Sequence, residues 1–387
     1  METKNESETI KLKKAKKSAF EKFGLFYLEV FEKKNKKKYS EHHFKTDEQI
    51  KKKTNKILTK SILLTLIVSI LTVTPLVYFD LALRDKPALV YWSWLVLLYV
   101  LFVAFEFYCL FLIALKLVHD LQNILKLNAY STDLLSIPTF KIENILARTA
   151  LELPDPELEV LGIDSFKNIS KKNLFVITLL YKGKIVLTNF ILKYLLLIFI
   201  GEKIFGVSIL YSAVLVECFW NVLVIRKVLI DARLRLFGFK LSHEIMSQFK
   251  NANLKQQLSI TAQKGCLRAI GNSIVMTKNY HPNMIFLLVH FQKELEVNEP
   301  DRFDDWALFI ETLSQVTPEE RFLLLDLFSV ATAFDGSISS LENNQIKEVF
   351  GESFPEYIDR IKRLIDLLQT GHFYKALNEC RLDFTEG

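Results

Sequence analysis

The sequence predicts an all-α membrane protein with four transmembrane helices in two hairpins and a cytoplasmic C-terminal helical bundle. Four long apolar runs occur in two closely spaced pairs, the flanking segments are rich in lysine, and no segment alternates like a β-strand. Of the 387 residues, 50% are apolar and 24% are charged. The two kinds must therefore be segregated along the chain.

The four apolar runs are each close to the roughly 20 residues that a helix needs to cross about 30 Å of hydrocarbon. They lie at 61–79, 88–118, 185–200 and 207–225. Pro75 interrupts the first run, which a membrane helix tolerates when neighbouring groups satisfy the freed carbonyl. The second run is longer than one span requires, and Tyr91, Trp92 and Trp94 near its start suit a headgroup boundary. A short turn joins each pair, so its two helices are expected to be antiparallel neighbours.

Lysine and arginine predict the orientation of these helices. The first 60 residues hold 18 lysines against nine acids, whereas the two short turns carry only Arg84, Lys86 and Lys203. By the positive-inside rule, both termini and the middle segment are predicted to be cytoplasmic, in a multi-pass protein of the inner or cytoplasmic membrane. We expect the lysine-rich N-terminal arm to contact anionic lipid headgroups rather than nucleic acid.

The same pattern divides the chain into six segments. In chain order they are a basic cytoplasmic arm, the first hairpin, a cytoplasmic amphipathic segment, the second hairpin, a cytoplasmic linker helix and a C-terminal helical domain. These segments are 1–60, 61–118, 119–184, 185–230, 231–253 and 254–387. Within the arm, the phenylalanine-rich stretch 14–38 fits either an interfacial amphipathic helix or a solvated basic arm.

Helix punctuation is clear beyond the fourth run. Pro282 and Pro318 are expected at first helical positions, where a missing N–H costs nothing. Ser339 with Glu342 predicts a capping box, and Gly371 suits a helix C-terminus. These signals predict a compact helical domain.

Four polar residues at membrane depth form the first candidate site: Glu106, Lys193, Glu217 and Asn221. A charge in mid-bilayer costs at least about 2.5 to 3.5 kcal/mol, so these groups should face the bundle interior and pair. Helix rise places Lys193 and Glu217 within reach of an ion pair, and Asn221 and Glu106 at a similar, deeper level. The pattern favours a structural clamp between the third and fourth helices, and a proton or ion relay is the alternative.

The second candidate site is a tight Asp-Gly turn between two helices, followed by a buried aliphatic residue and a Glu that opens the next helix. On these residues the chain resembles the TerB-like domain of tellurite-resistance and stress-response proteins. The matching residues are Ala331, Ala333, Asp335, Gly336, Ile338 and Glu342. The resemblance implies, for 254–387, a helical bundle with an acidic face that binds a divalent metal and docks partners. Asp335 and Glu342 would be the metal ligands, whereas the alternative gives them only turn and cap roles.

The same turn partly matches the calcium loop of an EF-hand. Ala331 and Ala333 stand where that loop needs its first carboxylates, so a calcium site is not expected. His290 lies on an apolar helix and is expected to be a core or boundary histidine rather than a ligand. The four cysteines, at 109, 218, 266 and 380, lack CxxC spacing and are expected to be buried hydrophobes in a reducing compartment.

No motif in the sequence supports catalysis. Hydrolase signatures such as GxSxG and HExxH do not occur, so we expect neither an enzyme nor a bound cofactor, apart from the metal that the resemblance implies. The expected role is a membrane-anchored scaffold or sensor in envelope stress response, whose helical domain recruits a cytosolic protein. A small transporter or channel accessory that uses the intramembrane charges is the alternative, and a homodimer is left open.

Overall fold

The computed structural model describes residues 19–35, 46–127, 209–277, 281–297, 302–338 and 340–382. Every regular element in these ranges is a helix, which confirms the predicted all-α class. The α-helices are α1 (Ala19–Asn35), α2 (Asp47–Leu83), α3 (Ala88–Leu125), α4 (Ile209–Asn251), α5 (Leu254–Gln257), α6 (Ile260–Thr277), α7 (Pro282–Leu295), α8 (Trp306–Gln315), α9 (Pro318–Ala333), α10 (Ser340–Phe350), α11 (Phe354–Thr370) and α12 (Phe373–Glu379). A 3-10 helix, Gly351–Ser353, joins α10 to α11.

Two of the described helices, α2 and α3, are long and apolar enough to cross a membrane. In their most apolar 18-residue windows, only 22% and 11% of the residues are buried. The core helix of a soluble protein would be mostly buried, so these exposed apolar surfaces favour lipid as their solvent. The chain is therefore membrane-associated. The third apolar run, 185–200, lies outside the described residues, and the arrangement with four spans stays a prediction.

The turn between α2 and α3 is short, as the sequence predicts. Asp80, near the end of α2, accepts a hydrogen bond from the hydroxyl of Tyr91 on α3. Arg84 pairs with the same carboxylate, with 3.3 Å between Nη2 and Oδ2. These contacts join the end of α2 to the start of α3 next to the turn.

Helix α1 covers 19–35 of the predicted 14–38 stretch and packs on the second half of α3. The hydroxyls of Tyr27 and Tyr108 are 2.7 Å apart, and the rings of Phe23 and Phe111 stack with centroids at 5.4 Å. Phe26 stays 59% exposed. Of the two interpretations of this stretch, the helical one applies to the residues that the structure describes.

Helices α3 and α4 continue from the apolar surface into the core of the C-terminal half. The large exposed side chains of α3 end at Tyr108, and its later residues Leu117 and Leu121 are fully buried. On α4, Leu215 and Phe219 are exposed, whereas most of the helix from Val228 onward is buried. The predicted boundary between the second hairpin and a linker helix therefore falls inside one unbroken helix of 43 residues.

The second half of α4 with α6 to α12 forms a C-terminal bundle. Helix α4 packs on α7 and α11, and α6 packs on α8 and α9. Helix α7 begins at Pro282, and α9 begins at Pro318 behind a capping box between Thr317 and Glu320. Gly371 ends α11 with a φ of 90°. These boundaries agree with the sequence, whereas the predicted capping residue Ser339 lies outside the described residues.

The corner between α11 and α12 is held by charges at both helix ends. Asp47, the first residue of α2, accepts hydrogen bonds from the backbone N–H groups of Tyr374 and Lys375 at 2.7 and 3.0 Å. Arg233 of α4 donates to the carbonyl of Gln369, with 3.3 Å between Nη1 and O. A carboxylate at a helix N-terminus and a cation at a helix C-terminus both interact favourably with the helix dipole. These contacts fix the corner between α11 and α12 to the first residue of α2 and to Arg233 of α4.

Candidate functional site

The buried face of α2 is polar, although most of the helix is apolar. Its buried residues from Thr54 to Thr72 all carry hydroxyls and recur at helical spacing. They are Thr54, Ser61, Thr65, Ser69 and Thr72. Ser69 Oγ donates to the Thr65 carbonyl at 3.0 Å, and Thr72 Oγ1 donates to the Val68 carbonyl at the same distance. Small hydroxyl residues let membrane helices approach closely and satisfy their own polar groups.

Asn221 of α4 joins this hydroxyl face to α3. Its Nδ2 donates to Ser69 Oγ at 3.0 Å and to Glu106 Oε1 at 2.5 Å. The same nitrogen lies 3.3 Å from Glu217 Oε1, one turn earlier on α4. Ser69, Glu106 and Asn221 are all buried. One amide therefore connects three helices at a single depth.

The structure brings together three of the four predicted intramembrane residues. Glu106 and Asn221 lie at one level, as helix rise predicts, and Glu217 joins them. Lys193 lies outside the described residues, so the predicted ion pair between Lys193 and Glu217 stays a prediction. Sequence reasoning missed Ser69, although the Ser/Thr spacing along the first apolar run was a usable signal.

The chemistry that this cluster offers is hydrogen bonding among two carboxylates, an amide and a hydroxyl. In a low-dielectric interior each such bond is stronger than in water, and an unmade one is costly. The described geometry directly supports a clamp between α2, α3 and α4. The relay alternative requires proton exchange between these carboxylates, whereas the described contacts are hydrogen bonds from a shared amide donor.

Asn221→Leu tests the clamp. We expect the variant to lower the free energy of unfolding in detergent by about 1 to 2 kcal/mol, because Glu106 loses the donor on α4 and a buried interhelical hydrogen bond is worth about that much. Denaturant titration followed by circular dichroism measures the change. Ser69→Ala, which removes only one acceptor, should cost about half as much. Equal stability of Asn221→Leu and the wild type would contradict the clamp.

The Asp335–Gly336 turn is built for packing. Gly336 has a φ of 80°, and a Cβ there would come within 2.3 Å of Leu234 Cδ2 on α4. The Gly336 carbonyl accepts a hydrogen bond from Gln369 Nε2 at 2.8 Å, and Asp335 Oδ2 accepts one from Ser337 Oγ at 3.1 Å. Glycine is needed here because the backbone is left-handed and lies against α4.

The metal expected from the resemblance has weak support in the described residues. Asp335 is partly exposed in the turn, whereas Glu342 is buried in the first turn of α10. No group of three or more His, Cys, Asp or Glu residues in the described ranges could hold a metal ion. These two carboxylates alone do not provide the ligand set that a divalent cation needs.

A second cluster of titratable groups lies between α4 and α7. The rings of His243 and His290 meet edge to face with centroids 4.5 Å apart, and Phe239 lies 4.8 Å from His243. Burial lowers the pKa of His243 to about 4 and that of His290 to about 3. Both imidazoles are therefore neutral at pH 7. The expectation that His290 is a core or boundary histidine agrees with its burial.

The pair predicts a fall in stability on acidification. In the unfolded chain both histidines have a pKa near 6.5, so below that pH the unfolded state binds protons that the folded state does not. Stability should be complete above about pH 6.5 and decline as the pH falls toward 4. At pH 5 the loss is up to about 2 kcal/mol for each histidine.

Unfolding measured from pH 7.5 to 5 checks this effect. His290→Gln removes one titrating group and should make the decline shallower, because one fewer buried histidine then takes up a proton on unfolding. His243 and His281, whose pKa values are also lowered by burial, still do so. If the wild type and His290→Gln lost stability equally between pH 7 and 5, the pair would not be the cause.

The comparisons with known proteins identify no relative of this chain. No protein-family model matches the chain, and no curated protein or solved structure is significantly similar to it. The likeness to TerB-like domains therefore stays a prediction from the turn residues. The chain can be assigned to a structural class, that of all-helical, membrane-associated proteins.

Proposed function

We propose that this chain is a multi-pass protein of the inner or cytoplasmic membrane that holds a TerB-like helical domain at the cytoplasmic surface. There it acts as a scaffold or sensor in envelope stress response and recruits a cytosolic protein. The observation that carries the proposal is the continuity of α4, which runs from an exposed apolar face into the core of the C-terminal bundle. Because the anchor and the bundle share this helix, the anchor fixes the orientation of the bundle.

Charge supports the proposed orientation, with both termini in the cytoplasm. The first turns of α2 carry exposed lysines, Lys51 to Lys53 among them, and Arg226 and Lys227 on α4 are also exposed. The turn at the other end of the hairpin holds only Arg84 and Lys86. Cytoplasmic flanks are the ones enriched in lysine and arginine.

Recruitment is the proposed role because the bundle offers a charged outer surface and the sequence carries no catalytic motif. Glu356, Asp359 and Asp366 are exposed along α11. Their spacing of three and seven residues places them on one face of the helix, together with Arg363, whose charge is paired with Glu379. A basic partner surface would complement this face.

Quantitative affinity purification from detergent tests recruitment. The full chain should retain a stoichiometric cytosolic partner, and deletion of 254–387 should release it while membrane insertion persists. Glu356→Lys with Asp359→Lys and Asp366→Lys should weaken binding in a folded protein, because all three side chains are solvent-exposed. Retention of the partner by the deletion variant would reject the proposal.

The alternative is a small transporter or channel accessory, and the cluster around Asn221 favours it over other activities. Glu106 and Glu217 approach one amide inside an apolar unit, and Lys193 belongs to the predicted third span. Proteoliposomes that contain the full chain should then show proton or cation flux that falls with Glu106→Gln and Lys193→Met. Flux at background before and after these changes would exclude transport and leave the anchor.

A further inference from the structure

We infer that one face of α2 binds the headgroups of anionic lipids. The inference rests on the proposed membrane anchoring and names the surface that meets the leaflet beside the C-terminal bundle. Lys52, Lys56 and Lys60 are exposed and follow one another every four residues. Residues at that spacing lie above one another on a helix, so they form a row, here called the lysine row.

The lysine row continues directly into the lipid-facing surface. The next residues on the same side of α2 are Leu64, Ile67 and Leu71, and all three are exposed. The opposite side is the hydroxyl face, where Thr54 and Ser61 are buried. The row therefore points outward with the apolar face and away from the neighbouring helices.

Helix geometry places the row at headgroup depth. With about 1.5 Å of rise per residue, Lys60 lies about 6 Å and Lys56 about 12 Å along the axis from Leu64. The headgroup layer is roughly 5 to 8 Å thick on each side of the hydrocarbon, and a lysine side chain can extend along the helix to reach it. Lys52 lies farther out, near one Debye length of about 10 Å from the headgroups.

The charges of the row are available to a ligand. Within the described ranges, none of Lys52, Lys56 and Lys60 forms an ion pair. Two acids precede the row on α2. Asp47 is engaged by the backbone of α12, and the exposed Glu48 lies one turn before Lys52, so it offsets part of the charge at that end of the row. Anionic lipid attracts each such lysine by an amount equal to roughly a fivefold change in affinity.

Helix α1 presents a second exposed face beside α3. Lys22, Phe26, Glu29 and Lys33 are exposed, and their helical spacing places them on one face, where Glu29 offsets part of the lysine charge. An aromatic side chain between lysines is typical of a helix that lies in the membrane interface. The helix packs beside Tyr108, the last large exposed apolar side chain of α3, so its exposed face continues the same boundary.

Native mass spectrometry of the full, detergent-solubilised chain tests the inference. The chain is titrated separately with phosphatidylglycerol and phosphatidylcholine. We expect the wild type to bind phosphatidylglycerol more tightly, and K52Q/K56Q/K60Q to lose at least about fivefold of that preference. Raising the salt concentration should weaken the preference of the wild type and leave the triple variant nearly unchanged.

Two matched variants distinguish the effect of positive charge in the lysine row on lipid binding from the effect of positive charge elsewhere on the protein. K52R/K56R/K60R keeps the positive row and should keep the preference. K293Q/K347Q/K362Q removes three exposed lysines from the C-terminal bundle and should also keep it. The inference is wrong if the wild type shows no preference, if K52Q/K56Q/K60Q retains the preference, or if K293Q/K347Q/K362Q loses it to the same extent.

Partner recruitment is read out in a different assay, so the two ideas can fail separately. A wild type that shows no lipid preference but still binds the partner would reject the lysine row alone. A correct lipid result with no partner released on deletion of 254–387 would reject recruitment alone. Thermal unfolding of each lysine variant verifies that the fold is retained.

Discussion

Asp326→Ala is expected to lower the free energy of unfolding by about 3 kcal/mol, one of the largest effects in the chain. Asp326 on α9 pairs with Arg360 on α11, and their side chains are only 9% and 18% exposed. Removing one partner of a buried ion pair leaves the other charge uncompensated, which typically costs 3 to 5 kcal/mol. The lower figure applies because Arg360 keeps other acceptors.

Those acceptors are the carbonyls of the last described turn. Arg360 Nε and Nη2 donate to the Glu379 carbonyl at 3.0 and 2.8 Å, and Nη2 donates to the Arg381 carbonyl at 2.8 Å. Tyr357 donates to Asp326 Oδ1 at 3.1 Å, and burial beside that carboxylate raises the pKa of the phenol. Asp326 therefore positions the guanidinium that holds the C-terminal turn.

Chemical denaturation of the full chain measures this loss, and Asp359→Ala is the matched control. Asp359 lies on α11 one residue before Arg360 but is exposed, so its removal should change stability by less than about 0.5 kcal/mol. Hydrogen exchange should also increase at 379–382 in Asp326→Ala. A loss no larger than that of Asp359→Ala would contradict the proposed network.

Gly238→Ala should destabilise the protein by about 2 to 4 kcal/mol, although alanine is the better helix former by about 1 kcal/mol. Gly238 lies inside α4, and a Cβ there would come within 2.1 Å of Asn283 Nδ2 and 2.5 Å of its Cγ. Asn283 is fully buried on α7 and donates to the Leu234 carbonyl at 3.0 Å. The added methyl group must displace this side chain, which strains the core and breaks a buried hydrogen bond.

Gly351→Ala supplies the comparison. Gly351, unlike Gly238, has a positive φ, 54°, and nothing lies within 4 Å of a Cβ built there. Only backbone strain of about 1 kcal/mol is expected at that site. If Gly238→Ala unfolded at the same denaturant concentration as the wild type, α4 and α7 would not be as closely packed as the geometry requires.

Local signals made several helix boundaries predictable from sequence. Pro282, Pro318 and Gly371 act within one turn, through a fixed φ, a missing N–H or a left-handed φ, so their effect does not depend on the rest of the fold. The cluster of Glu106 and Asn221 was also identifiable, because polar groups in apolar runs must pair with one another.

Features that depend on distant residues could not be predicted. Asp47 lies in a basic segment that suggests a solvated arm, yet it binds the start of α12 more than 300 residues later. His243 and His290 come from separate helices, and only packing brings their rings together. The linker predicted after the fourth apolar run contains no proline, and α4 continues through it despite Gly238, driven by the buried side chains of 232–249.

The unbroken course of α4 has a consequence for how the two halves of the protein relate. Each residue of an α-helix adds about 100° of rotation and 1.5 Å of rise. The angular register between Asn221, which faces α2 and α3, and Arg233, which reaches the end of α11, is therefore set by the number of residues between them. Inserting one residue there would rotate one site by about a quarter turn relative to the other. In the proposed anchor, twisting or tilting of α4 would therefore be transmitted to the bundle as a rigid-body rotation.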